Sequence, residues 1–232
     1  MLKLDSGKSG LVFTGTGPGA RSRDGCSVEF YRQSDVGQEP GWIESVAPPP
    51  ASLLELGCGA GRVTGALVEA GYQVTAVDNS EDMLSHVEGA ALVLSDIESL
   101  TLDQTFDVVT LASYLLNSPL PETREGFLRT VKNHLAPSGV GLFEVNHPGI
   151  LDSQVGMLRD DEEAAVGISE FQADGSHISM TLTYRKDDQN WSHSFETFYF
   201  TEEELRSMLA GHGLEFGAWI NEGKTWFSAA AK

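Results

Sequence analysis

Residues 53–78 read LLELGCGAGRVTGALVEAGYQVTAVD: an apolar run, three glycines at alternate positions, a helix-period segment ending at Gly71, and a second apolar run closed by an acid. That order predicts a strand, a tight turn, a helix and a second, parallel strand. Such a turn suits a nucleotide-like ligand, and the glycine spacing decides which one. A dinucleotide site takes G-x-G-x-x-G, its third glycine allowing close helix–strand packing beside a pyrophosphate. Counted from Gly57, that third slot holds Arg62. The turn is instead Gly57-x-Gly59-x-Gly61 with Glu55 ahead of it, which lets backbone approach a small ligand without a phosphate at the helix end. Asp78 is placed to accept two hydrogen bonds from ribose hydroxyls, and its charge repels a 2′-phosphate. An NAD-linked oxidoreductase is disfavoured on these grounds.

Working outward, β and α patterns alternate from residue 52 to residue 146. Ser80 opens SEDMLSHVEG as an N-cap, with Glu81 and Asp82 at the positive helix end. ALVLSD and FDVVTLAS read as strands three and four. LPETREGFLRTVKNHLAPSG is a helix with Phe127, Leu128, Val131 and Leu135 on one face, stopped by Pro137 and Gly139, and VGLFEVN is strand five. Alternation of this kind predicts an α/β fold with ligands at the carboxyl ends of the strands. After Asn146 the pattern changes. Ile178, Met180, Leu182 and Tyr184 alternate, as do Trp191, His193, Phe195, Thr197 and Tyr199, around a polar RKDDQN loop. Residues 147–200 are therefore expected to form an antiparallel β insertion. TEEELRSMLAGHG is a helix with Thr201 and Glu204 as a capping box, and LEFGAWI and TWFSAAA supply the last two strands.

Upstream, residues 1–24 are rich in Gly, Ser and Thr and are expected to be a mobile or loosely held arm. The GKS at residues 7–9 lacks the glycine that a phosphate-binding loop needs five places earlier, where Leu2 stands. Residues 25–46 suggest one or two short helices broken near Gly37 and Pro40. The organisation expected is a single domain. Residues 1–48 form an arm and helical lid, 49–146 with 201–232 the cofactor-binding core, and 147–200 the roof of a substrate pocket.

The 232-residue chain carries 34 acids against 15 bases, a net charge of −19. Nucleic-acid binders need clustered Lys and Arg to displace counterions, so nucleic acid is disfavoured as a partner. No apolar run reaches the roughly 20 residues of a membrane helix, and no signal-peptide pattern opens the chain. Membrane association is not expected, and cytoplasmic residence is. Cys26 and Cys58 read as reduced thiols, with no metal site.

Together, LLELGCGAGRVTGALVEAGYQVTAVDNSEDML, LVLSDIESL, FDVVTLASYLLN and LAPSGVGLFEVN resemble the class I S-adenosylmethionine-dependent methyltransferases over about residues 50–146. The resemblance implies a Rossmann-like seven-stranded sheet with helices on both faces, an N-terminal lid and S-adenosylmethionine as cofactor. It implies that Glu55 and the backbone of Gly57, Gly59 and Gly61 line the methionine end, and that Asp78 binds the ribose. Asn79 and Met83 would flank the adenine, Asp96 and Ile97 would meet its amino group and ring, and Ala112 to Leu115 would lie beneath the sulfonium.

The acceptor is less legible. Asn117-Ser118-Pro119-Leu120 is delayed after strand four and lacks the aromatic of the N-P-P-Y amine methylases, and no acidic Asp-Asn cluster of the catechol type follows Val109. A small-molecule, natural-product type of methyltransferase remains, acting on N, C or O of an aromatic or amine-bearing compound such as an indole-like ring. Its tail features are Thr183 to Arg185, Trp191 to Phe195 and Thr225 to Phe227. Topology nominates Tyr114, Asn146 and His147 beside the methyl, with His147 as the preferred base because histidine titrates near neutrality. Trp191, His193, Phe195 and Tyr199 would roof the site, joined by Glu29 and Tyr31 from the lid. The alternative is a catalytically inactive cofactor-binding partner or regulatory domain. A homodimer is left open.

Overall fold

The computed structural model describes residues 14–161 and 164–232. In chain order these form β1 (Thr14–Thr16), α1 (Val28–Gln33), α2 (Glu39–Val46), β2 (Ser52–Leu56), α3 (Arg62–Ala70), β3 (Gln73–Asp78), α4 (Glu81–Leu84), β4 (Ala91–Leu94) and β5 (Phe106–Leu111). They continue with α5 (Pro121–His134), β6 (Leu135–Glu144), β7 (Gly156–Asp160), β8 (Ala164–Asp174), β9 (His177–Lys186) and β10 (Gln189–Phe198). The last elements are α6 (Glu202–Gly211), β11 (Leu214–Trp219) and β12 (Trp226–Ala231).

A seven-stranded sheet runs β11-β12-β6-β5-β2-β3-β4, parallel from β6 to β4 and antiparallel at β12 and β11. Chain progress reverses between β2 and β5, and that reversal opens a crevice at the carboxyl ends of both strands. Successive residues face opposite sides of the sheet. Leu54, Leu56, Val109, Leu111 and Phe143 pack with α5 residues Phe127, Leu128 and Val131, whereas Leu53, Val108 and Leu142 pack with Ile43, Val63, Leu67 and Trp226. The α/β class with helices on both faces is therefore as expected. So is the capping box at Thr201 and Glu204.

The insertion is larger than one hairpin. β7 to β10 form an antiparallel sheet in the order β1-β10-β9-β8-β7. The polar RKDDQN loop narrows to Asp187 and Asp188, because Lys186 already pairs with Gln189 and Arg185 with Asn190. The arm also departs from expectation within the described residues. Thr14–Thr16 pairs along β10, with Gly15 opposite His193. An edge strand offers unpaired backbone groups to any chain that can approach, and only glycine can approach here: a Cβ on Gly15 would lie 1.8 Å from the Ser192 carbonyl oxygen. The GKS at residues 7–9 lies outside the described residues.

Two boundaries move as well. Pro40 sits in the first turn of α2, where a missing N–H costs nothing, so the break falls before it. α5 ends at His134, and β6 begins at Leu135 rather than after Gly139. His134 Nε2 accepts the Leu102 N–H at 3.0 Å, and Pro137 is accommodated where the β5–β6 register shifts.

Candidate active site

The crevice at the β2/β5 reversal is an open cleft of about 1140 Å³, solvent at its mouth included. Its floor is the turn after β2. Gly57, Gly59 and Gly61 have φ of +74°, +56° and +84°, values that favour glycine. The reasons for glycine differ. A Cβ on Gly57 would meet Leu115 Cδ1 at 2.6 Å and one on Gly61 would meet Val87 Cγ2 at 3.0 Å, but one on Gly59 would enter open space. The cleft thus stands open over the Gly59 backbone.

Asp78 closes this cradle. Its Oδ2 accepts the Gly59 N–H at 2.8 Å and its Oδ1 the Ser80 N–H at 2.9 Å. Each oxygen keeps a lone pair for a ligand hydroxyl. Burial raises its pKa, opposed by those two backbone bonds. Glu55 is 7% exposed and accepts the Thr64 hydroxyl at 2.6 Å. Burial pushes it up to about 7. Asn79, Met83, Ile97 and Ala112 also line the cleft. Asp96 does not: its Oδ1 accepts from Asn79 Nδ2 at 3.0 Å, and Arg23 pairs with its Oδ2 at 3.1 Å. At that wall the cleft is lined by Ser95, Ile97 and Glu98. A buried Oε1 of Glu98 has no hydrogen-bond partner among the described residues.

The expected acceptor residues divide. Tyr31 lines the cleft, its ring parallel to that of His193 at 6.0 Å. Tyr114 does not line the cleft, although Ser113 and Leu115 do; it is 43% exposed and, like Ser113, left-handed, with φ of 58° and 55°. Asn146 and His147 are not brought into the cleft. Asn146 is buried, donating from Nδ2 to Thr197 Oγ1 at 2.9 Å and to the Phe198 carbonyl at 2.8 Å. The His147 ring accepts the Gly149 N–H at 2.9 Å as the cap of the Pro148–Asp152 turn. The chain turns away immediately after β6, so proximity in sequence to the strand end does not carry these side chains inward.

On the insertion, Trp191 and His193 face α1, 5.7 and 5.3 Å from the Phe30 ring. Trp191 Nε1 donates to the Pro18 carbonyl at 3.1 Å. Burial, with a smaller contribution from Arg21, lowers His193 to about 4, so the imidazole is neutral at pH 7. Tyr199 lies beyond β10 and lines a separate cavity with Asn146, Pro148 and Trp219. Glu29 turns outward to Arg32 at 2.7 Å, whose hydrogen bond, reinforced by Gln33, holds it down to about 2.

Sequence reasoning missed several residues. Ser22 and Asp24 from the expected arm and Cys26 from the segment after it wall the cleft. Arg62 lines it too, while pairing with Glu39 at 2.7 Å and donating to the Asp35 carbonyl at 3.2 Å. Glu144, the last residue of β6, accepts the Ser113 N–H at 2.7 Å. Only Arg62, out of place for a dinucleotide turn, carried a signal in the sequence.

Residues 53–139 match the family model of a methyltransferase domain. A cypemycin N-terminal methyltransferase from a Streptomyces species is 33% identical over 138 residues, covering 54% of this chain and 56% of that protein. The chain thus spans about half the length of this curated relative. The fold is that of an S-adenosylmethionine-dependent methyltransferase from Clostridium acetobutylicum, with a TM-score of 0.71 at 21% identity over 87% of this chain and 94% of that one. It also follows CalS10, an amino pentose methyltransferase from Micromonospora echinaspora solved with S-adenosylmethionine bound. There the TM-score is 0.66 at 22% identity, over 90% of this chain and 93% of that one. Among the described residues no helix is long and apolar enough to cross a membrane, and no group of His, Cys, Asp or Glu could hold a metal ion.

Proposed function

We propose that the chain is a class I S-adenosylmethionine-dependent methyltransferase and that it methylates the nitrogen of a small, amine-bearing natural product. The observation that carries cofactor use is the cradle over Gly59: open space above a left-handed backbone, flanked by Asp78 with one spare lone pair on each oxygen. Those acceptors suit two ribose hydroxyls. Glu55 and the backbone of Gly57, Gly59 and Gly61 hold the methionine end. Asn79 and Met83 flank the adenine, and Ile97 packs on its ring. Asp96 acts one step back, fixing Asn79 and pairing with Arg23 of the N-terminal segment. Ala112 to Leu115 lie beneath the sulfonium.

When bound, the cofactor supplies a methyl group already activated for in-line displacement. What the protein then contributes is alignment and exclusion of water. The sheet of β1 and β7 to β10, with α1 pressed on it through Phe30, Trp191 and His193, serves as the roof of the acceptor chamber. Nitrogen is favoured as the acceptor by two similar proteins, an N-terminal methyltransferase and the sugar N-methyltransferase KedS8. The net charge of −19 acts in the same direction by concentrating cations.

The test is transfer of isotope-labelled methyl to a panel of amino sugars and short peptides, each beside its N-acetylated form. Label is expected on the free amines alone. Label confined to hydroxyl or carbon atoms would overturn the nitrogen reading. Cofactor binding without transfer to any compound would favour a non-catalytic partner domain.

A further inference from the structure

Glu144 ends β6 one step beyond the Phe143–Leu111 pair, which sets it beside the turn after β5. Its carboxylate accepts the Ser113 N–H at 2.7 Å, and Ser113 lines the cleft. The Tyr114 hydroxyl is within hydrogen-bonding reach of the same carboxyl, and Tyr184 lies close enough to couple to Tyr114. From the start of α2, Glu39 faces this group as well. Its Oε1 is held by Arg62 at 2.7 Å, whereas its Oε2 is buried with no hydrogen-bond partner among the described residues. Behind the cleft residues Tyr31, Arg62 and Ser113 there are thus two carboxylates, Glu39 and Glu144, and the rings of Tyr114 and Tyr184.

That combination has a chemical complement. The single guanidinium leaves one negative charge uncompensated, and a buried carboxylate oxygen without a donor is costly. A neutral hydroxyl would supply a donor but no charge, and a ring carbon would supply neither. An ammonium group brings several N–H donors and a positive charge, and aromatic faces attract it further. We propose that Glu144, with Glu39 behind it, receives the acceptor's ammonium group and takes its proton before methyl transfer. This rests on the nitrogen reading above and names the residue that enforces it.

In the step proposed, one N–H bond of R–NH3+ breaks and the proton passes to the Glu144 carboxylate. The freed nitrogen lone pair forms the N–CH3 bond as the S–CH3 bond breaks, its electron pair remaining on sulfur. The products are S-adenosylhomocysteine and R–NH2+–CH3, and loss of the Glu144 proton to water resets the site. The charged or titratable groups facing Glu144 are Glu39 from α2, Arg62 from α3 and Tyr114 from the turn. Trp226 faces it from β12.

A structural role for Glu144, anchoring the left-handed Ser113–Tyr114 turn, is separable from a charge role. In Glu144→Gln the amide oxygen still accepts the Ser113 N–H, but the charge is gone. With the protein saturated by S-adenosylhomocysteine, cyclohexylammonium and its neutral counterpart cyclohexanol are titrated at neutral pH. The native protein is expected to prefer the ammonium by about tenfold or more. Glu144→Gln should abolish that preference at unchanged S-adenosylhomocysteine affinity, and Glu144→Asp should retain part of it. Equal binding of the two probes to the native protein, or an undiminished preference in Glu144→Gln, overturns the assignment. Failure of the native protein to bind S-adenosylhomocysteine at all would instead sink the methyltransferase reading.

Discussion

Gly59 donates its backbone N–H to Asp78 Oδ2 at 2.8 Å, tying the turn after β2 to the end of β3. The bond fixes the carboxylate's direction and holds the left-handed turn open toward the cleft. It explains why a glycine and an acid 19 residues apart act as one unit.

Replacing Asp78 tests that unit. Asp78→Asn keeps one acceptor oxygen for two backbone donors and offers its amide where a ribose hydroxyl would donate. Affinity for S-adenosylhomocysteine should fall by about 1 to 3 kcal/mol, the range for charge-assisted bonds lost from a buried site. Calorimetry reads this directly, and unaltered affinity would exclude Asp78 as the ribose acceptor.

The three glycines predict a contrast between stability and binding. Gly57→Ala forces a φ of +74° and drives a Cβ to 2.6 Å from Leu115, so it should destabilise the fold by more than the roughly 1–2 kcal/mol of a left-handed residue alone. Gly59→Ala carries a similar backbone cost, but its methyl enters open space in the cleft. That variant should remain folded and lose cofactor affinity out of proportion to its stability. Parallel denaturation and binding measurements separate the two. Equal affinity loss in both variants would mean that the cradle over Gly59 is not the cofactor seat.

The floor of the cleft was legible because its determinants are local. A strand, a three-glycine turn and a second strand deliver Glu55, Gly59 and Asp78 to one edge whatever the rest of the chain does. Met83, Ile97 and Ala112 follow, since each lies within a few residues of a neighbouring strand end. Asp96 has the same placement, but its charge drew in Arg23, a pairing no short-range pattern announces. The cluster around Glu144 was not legible, because Glu39, Arg62, Tyr184 and Glu144 meet only through the packing of α2, α3, β9 and β6. His147 and Asn146 lie outside the cleft for the complementary reason. They have suitable chemistry near a strand end, but a backbone amide and the end of β10 had already claimed their side chains.

Glu55 gives a pH signature with a definite sign. Its pKa rises from an ordinary 4.5 to about 7 on folding, with burial the main cause. The folded protein therefore binds a proton more tightly than the unfolded chain, and stability is lost as pH rises through that interval. Up to about 3 kcal/mol is at stake at roughly 1.36 kcal/mol per pKa unit. Glu55→Gln keeps an acceptor for the Thr64 hydroxyl and removes the titration. Its stability relative to the native protein should rise between pH 5 and pH 8, while S-adenosylhomocysteine affinity falls. Denaturant unfolding at the two pH values checks this, and a pH-independent difference would show that Glu55 ionises freely in the folded state.

Asn146 and His147 make the final case, because position in the sequence nominated both for catalysis and the structure gives them other work. Asn146 lies in a buried amide network. Its N–H donates to Asn117 Oδ1 at 3.1 Å, its Nδ2 reaches Thr197 and the Phe198 carbonyl, and Asn117 Nδ2 donates to that same carbonyl at 2.7 Å. The network stitches the end of β6 to the end of β10, joining the core sheet to the insertion. Asn146→Ala strands acceptors in a buried setting and should cost about 1 to 3 kcal/mol of stability. His147→Ala removes only an exposed cap and should cost under about 1 kcal/mol. At a temperature where both variants are folded, neither should lower the methyl-transfer rate on the best amine of the panel by more than a few-fold. A loss of several hundredfold in His147→Ala, together with disappearance of a pH limb near neutrality, would restore His147 as the general base.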